Sequence, residues 1–195
     1  GFIVAQQLLL TAKDYNNQQE SFISGIESEF HYPFIAKPVD DGCSSAVVKI
    51  KNRDHLNSYL EALFRANAHL TDELRNNLQL DANEEFPQKS EVLIEEMITS
   101  NNAKQFLEIT GGLLTHIVDN KIRYEIFEAS ETLTSGEVLS LEEKFLAGEG
   151  QNITPPRFGK NKSEYEIISA KVKAALLKAA ITLDVTGYAR IDAFV

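Results

Sequence analysis

Val92-Leu93-Ile94-Glu95-Glu96-Met97-Ile98-Thr99-Ser100-Asn101-Asn102 is an apolar run that ends in charge and gives way to four small polar residues. Its first part reads as a buried strand. Its second part reads as a linker, because Ser, Thr and Asn side chains satisfy nearby backbone groups and compete with regular structure. Composition shifts at this point, so the chain divides into two αβ lobes, residues 1–98 and 99–195. The class is α+β with a hinge near Thr99, and clefts between such lobes are preferred ligand sites.

On the N-terminal side, Thr11 opens a polar helix expected to reach about Phe30. Pro33–Lys37 is a short strand stopped by Pro38, residues 39–45 are a loop, and Ala46–Ile50 is a second strand, so the two form a hairpin. From Arg53, the residues Leu56, Tyr59, Leu60, Leu63 and Phe64 recur at helical spacing. Thr71–Ser90 is a short helix plus loop, or a mobile insertion. On the C-terminal side an antiparallel meander is expected: Gln105–Thr110, a Gly111-Gly112 turn, Leu113–Val118, an Asp119-Asn120 turn and Lys121–Glu131. Leu133–Lys162 is too long for a simple connection. Ser163 caps the longest helix, with Tyr165, Ile168, Val172, Leu176 and Ala179 as its apolar stripe, and Gly187–Val195 closes the lobe as a strand.

The 195 residues carry 43% apolar side chains and a net charge of −10, an ordinary globular balance that excludes disorder and argues against nucleic-acid binding. The single cysteine, Cys43, excludes an intrachain disulfide framework and a cysteine zinc site. No apolar run reaches the ~18–20 residues of a membrane span, and the first residues lack a basic, cleavable leader. A soluble, cytoplasmic protein without membrane partners is expected. The chain begins with Gly and stops within an apolar run, so a piece of a longer polypeptide is expected as well.

Four constellations carry chemical content. Lys37 closes a strand before Gly42-Cys43-Ser44-Ser45, and small residues behind an ammonium suit a phosphate cradle, although the same pattern makes an ordinary hairpin turn. Glu95-Glu96-Met97-Ile98 offers an apolar wall for a nucleobase, or simply a strand end becoming solvated. Lys144 in Leu141–Leu146 suits a loop closing over a triphosphate, or an amphipathic turn. Arg190 and Asp192 alternate onto one face of a strand, where they suit a phosphoryl group and Mg²⁺, or a surface ion pair. His31, His55, His69 and His116 lie far apart without metal-ligand spacing.

The order of these elements resembles the ATP-grasp fold and, in detail, the D-alanine–D-alanine ligase family. Lys37-Pro38 to Gly42-Cys43-Ser44 is similar to its Lys-Pro-x-x-x-Gly-Ser-Ser loop, and Leu93–Ile98 to its hinge. Glu142-Glu143-Lys144-Phe145 is similar to its Glu-Ala-Lys-Tyr element, and Gly187-Tyr188-Ala189-Arg190-Ile191-Asp192 to its Gly-x-x-Arg-Ile/Val-Asp strand. The resemblance implies an ATP-grasp-like architecture, two αβ lobes with antiparallel sheets around an inter-lobe nucleotide cleft. It implies ATP with Mg²⁺ or Mn²⁺, and phosphorylation of one amino acid's carboxylate followed by attack of a second amine, for peptidoglycan precursor synthesis. Lys37 and Lys144 are then phosphate contacts, with Gly42, Cys43, Ser44 and Ser45 over the triphosphate. Glu95, Glu96, Met97 and Ile98 line the adenine pocket. Gln105 or Glu108 holds the ribose, Arg190 stabilises the transferring phosphoryl group, and Asp192 is a metal ligand. Residues 1–98 correspond to the central lobe. Residues 99–195 correspond to part of the C-terminal lobe, short of its last metal-ligand segment, so this piece alone is expected to be inactive and its parent a homodimer. The alternatives are another ATP-grasp carboxylate–amine ligase, or a nucleotide-binding module that has lost its chemistry.

Overall fold

A computed structural model of the chain describes residues 3–42, 44–81, 84–100, 106–133 and 152–195. They form two compact units, one of residues 4–99 and the other chiefly of residues 106–133 and 152–195.

In the first unit, leucines and β-branched residues build four strands: β1 (Gln7–Thr11), β2 (Phe34–Pro38), β3 (Val48–Ile50) and β4 (Glu91–Glu96). The sheet is antiparallel in the order β1-β4-β2-β3. Period-two alternation sends Phe34, Ala36, Val92 and Ile94 to one face, where they are fully buried. Against that face lies a core of Ile23 and Ile26 from α2 (Gln19–Glu29) and Leu56, Tyr59, Leu60 and Leu63 from α3 (Arg53–Phe64). The opposite face carries Gln7, Leu9, Ile35, Lys37, Leu93 and Glu95.

The hairpin and the α3 stripe agree with the sequence reading. Thr71 caps a short helix, α4 (Asp72–Asn77), which decides for helix plus loop there. The polar helix is instead two: Thr11 accepts from Asp14 N to start α1 (Ala12–Asn17), and Gln18, at φ −150° and ψ 63°, breaks the run before α2. β1 lies in a segment from which the pattern drew no strand.

The second unit is organised on β5 (Glu108–Val118). Along one edge β5 pairs with β9 (Tyr188–Phe194). Along the other it pairs with β6 (Lys121–Ile126) and β7 (Ser130–Thr132), and β8 (Asn152–Ile153) continues from β7. A long helix, α5 (Lys162–Thr182), packs Val172 and Leu176 against Ile109. Asp119 and Asn120 make the expected hairpin turn with φ of 51° and 57°.

Two expectations are corrected in this unit. Gly111-Gly112 is not a turn, because β5 runs straight through it and neither glycine has a positive φ. The missing side chains serve close packing instead. A Cβ on Gly111 would stand 2.3 Å from Leu176 Cδ1, and one on Gly112 3.3 Å from Phe127 Cδ2. The long helix is capped by Asn161, not Ser163: Asn161 Oδ1 accepts from Glu164 N at 3.0 Å, and the Glu164 carboxylate accepts from Lys160 N at 2.7 Å. Both residue types cap well, and the reciprocal bond selects the earlier one.

Gly111→Ala should cost about 1–3 kcal/mol in urea unfolding, as overpacking does, and most of that cost should vanish in a Leu176→Ala background. His55 supplies a pH signature. Its Nδ1 faces Lys51 N at 3.4 Å while Nε2 is buried without a partner among the described residues. Burial first, then the Lys51 charge, lower its pKa from 6.5. The folded state therefore binds this proton more weakly than the unfolded chain. Stability is fully present above about pH 6.5 and is lost as pH falls through the folded value. Glu27, Glu128 and Glu131, lowered from 4.5, lose their contributions only at more acid pH. Denaturant midpoints should decline below pH 6.5 in the parent chain and stay flatter there in His55→Gln.

Candidate functional site

The site residues lie on sheet faces that their own units leave uncovered. In the first unit Lys37 and Glu95 stand diagonally on β2 and β4, since Lys37 faces Leu93 and Ile35 faces Glu95. Lys37 Nζ meets Glu95 Oε2 at 2.5 Å, and Gln7 Nε2 donates to Glu95 Oε1 at 2.7 Å. Glu95 is thus held by one cation and one amide on the open face. Glu96 is exposed at the strand end, with Met97 and Ile98 beyond the last ladder pair. These residues can present an apolar edge and backbone polar groups to a flat ligand.

The loop after Lys37 is built on tight turns. Ser45 N donates to the Gly42 carbonyl at 3.0 Å and Val47 N to the Ser44 carbonyl at 3.1 Å. Ser44 and Ala46 take φ of 59° and 50°. Its two stems are fastened. Lys89 Nζ reaches Asp40 Oδ1 at 3.1 Å and Asp41 Oδ2 at 3.4 Å, and these bonds, Asp40's first, raise its pKa. On the other stem the fully buried Tyr59 donates to the Ala46 carbonyl at 2.9 Å. Sequence reading placed Tyr59 on the core stripe and did not see this second task.

In the second unit β9 alternates with Tyr188, Arg190, Asp192 and Phe194 outward. Across from them on β5 stand Leu114, Gly112, Thr110 and Glu108 respectively. Arg190 and Asp192 share the expected face, and among the described residues neither makes an ion pair, so a simple surface pair does not account for them. Two carboxylates of this unit are committed to structure instead. Glu131 is buried and gripped by the Arg157 guanidinium and backbone N–H, which hold its pKa low. Burial pushes Glu128 up, but Lys173, Tyr165 and Ser169 donate to it and bring it below its usual value.

Of the residues proposed from sequence, the structure brings Lys37 and Glu95 into contact, with the loop of Gly42, Ser44 and Ser45 next to Lys37 in the chain. Arg190 and Asp192 lie together in the other unit. Cys43, Gln105 and Lys144 lie outside the described residues. Gln7, Lys89 and Thr110 escaped the sequence reading, as did the second task of Tyr59, since only the folded chain brings their partners to them. Among the described residues no three His, Cys, Asp or Glu cluster as a metal cage. Asp192, an exposed carboxylate across the ladder from Thr110, fits one position on a hydrated Mg²⁺. No described helix is long and apolar enough to cross a membrane.

These two sheet-and-helix units have the ATP-grasp fold. VanG D-Ala:D-Ser ligase from Enterococcus faecalis superposes with a TM-score of 0.58 at 18% identity, over 98% of this chain and 43% of its own. The chain also resembles the D-alanine–D-alanine ligases in sequence. Residues 1–74 match the family described as D-ala D-ala ligase C-terminus. The D-alanine–D-alanine ligase of Leptospira interrogans is 26% identical over 92% of this chain and 41% of its own length. That of Caldicellulosiruptor bescii is 27% identical over 96% and 41%. The chain spans about two fifths of the length of these curated relatives.

Tyr59→Phe should remove the Ala46 fastening and leave a carbonyl short of a donor, lowering urea stability by about 1 kcal/mol. Amide exchange at residues 44–48 should rise more than in α3.

Proposed function

We propose that this chain is the nucleotide-handling part of an ATP-dependent amino-acid ligase of the D-alanine–D-alanine type. The observation that carries the reading is Lys37 beside Glu95 on an open sheet face, ahead of a fastened loop of small residues, in the order the family uses. Residues 1–98 correspond to the central lobe and residues 99–195 to part of the C-terminal lobe.

In this reading the ammonium of Lys37 leaves Glu95 for the phosphates of ATP. Gly42 to Ser45 lie over the triphosphate, and the freed Glu95 carboxylate accepts from the adenine amino group beside Glu96, Met97 and Ile98. Lys144 is the second phosphate contact. Gln105, where the family's Glu-Phe-Thr-φ strand has its Glu, or Glu108, on the face of Thr110 and Asp192, holds the ribose. Asp192 would hold Mg²⁺ or Mn²⁺, which supplies charge neutralisation to the phosphates when bound. Arg190 faces the oxygens of the transferring phosphoryl group, where a fixed cation stabilises developing charge. The carboxylate of one amino acid takes the γ-phosphoryl group of ATP to give an acyl phosphate, and ADP leaves. The second amino acid's amine attacks that carbonyl, and the amide forms as phosphate leaves.

The pathway is peptidoglycan precursor synthesis in the cytoplasm, where ATP is supplied, and a homodimeric parent is the assembly that the family likeness implies. A ligase joining a different second amine is the other reading, favoured by the likeness to a D-Ala:D-Ser ligase.

The test is phosphate release and dipeptide formation by a polypeptide of the relatives' length, offered ATP, Mg²⁺ and a panel of D- and L-amino acids. D-alanine-dependent phosphate release is expected, and its absence with every amino acid would overturn the ligase reading. On this chain, Lys37→Ala should weaken ATP binding in calorimetry about tenfold, whereas unchanged affinity would remove Lys37 from the site.

A further inference from the structure

Thr110 occupies a particular place in the second sheet. Mutual backbone bonds at 2.9 Å join Leu107 and Val195, and Thr115 N donates to the Gly187 carbonyl at 2.8 Å. The β5–β9 register alternates between these points, so Leu107, Ile109, Gly111 and Leu113 sit in hydrogen-bonded pairs. Thr110 and Asp192 therefore form a non-hydrogen-bonded pair, the kind whose side chains approach most closely, with Cα atoms about 4.5 Å apart. On its other side Thr110 faces Ser130 of β7. The Ser130 hydroxyl is engaged with Thr154 Oγ1 at 2.5 Å. Thr110 Oγ1 is buried and has no hydrogen-bond partner among the described residues.

A buried hydroxyl without a partner costs free energy, so its position calls for a use. Across the ladder Asp192 carries a carboxylate that can accept its proton and is not bonded to it here. We propose that Thr110 is a positioning residue: when a hydrated divalent cation binds, one Asp192 oxygen turns to accept from the Thr110 hydroxyl and the other faces the ion. This rests on the reading of Asp192 as a metal ligand and adds to it the residue that aims the carboxylate. Outer partners of metal ligands act in this way, orienting a flexible carboxylate around the ion.

The role separates from a packing role because valine has nearly the shape of threonine without the hydroxyl. Mn²⁺ binding to the chain in the presence of ATP, followed by electron paramagnetic resonance of the free ion, is compared for the parent, Thr110→Val, Thr110→Ser and Asp192→Asn, with thermal unfolding of each. Thr110→Val should weaken Mn²⁺ about tenfold, the lower end of such outer-shell effects, while its Tm holds or rises because a buried orphan hydroxyl has gone. Thr110→Ser, which keeps the donor, should bind within about twofold of the parent. Parent-like affinity in Thr110→Val, or a Thr110→Ser as weak as the valine, overturns the proposal while a weakened Asp192→Asn leaves the metal reading standing. An Asp192→Asn that binds Mn²⁺ as the parent does overturns both together.

Discussion

Burial of Phe34, Ala36, Val92 and Ile94 against α2 and α3 fixes which way Lys37 and Glu95 face. The side-chain period of a strand is two, so slipping β2 by one residue against β4 would send Phe34 and Ala36 into water and Lys37 into the core. Each of these apolar side chains contributes on the order of 1–3 kcal/mol by leaving water. The register is therefore set by the apolar face, and the polar face inherits its geometry. Lys37 and Glu95 contribute little to that choice, since a partly exposed pair is worth about 0–1 kcal/mol.

The second unit solves the same problem by shape. Leu176 of α5 lies where the side chain of Gly111 would be, which lets the helix press onto β5 and covers the face holding Ile109 and Leu113. Once that face is taken, Arg190 and Asp192 have only the other, and Gly112 leaves room across the ladder from Arg190. Close packing on one side is what presents charge on the other.

This division explains what could be read in the sequence. α3, the β2–β3 hairpin and the alternation of β9 show as local periods, and Lys37, Glu95, Arg190 and Asp192 could be assigned to strands from spacing alone. Gly111-Gly112 was misleading because glycine marks both a turn and a close approach, and only the position of Leu176, 65 residues on, decides between them. The pairing of Gln7 with Glu95 and of Thr110 with Asp192 joins residues 88 and 82 positions apart, which no local pattern encodes. The fastening of the loop by Lys89 and Tyr59 is hidden for the same reason.

Charge is then sorted by what already holds it. Arg53 is taken by Glu20 and Glu27, Arg157 by Glu131, Lys173 by Glu128 and Lys89 by Asp40 and Asp41. Arg65 donates to the carbonyls of Ala62, Ala68, Phe86 and Pro87. These cations fix one segment to another, and moving any of them would strip a partner. Lys37 differs. Its contact with Glu95 lies on an open face, one third of its side chain is exposed, and the Gln7 amide can keep Glu95 in place if the ammonium moves. Release of Lys37 from Glu95 therefore costs the fold little, which is the property that the proposed phosphate contact requires. In a chain with net charge −10, that cation beside an uncovered sheet face is the feature on which the proposed approach of an anionic nucleotide depends.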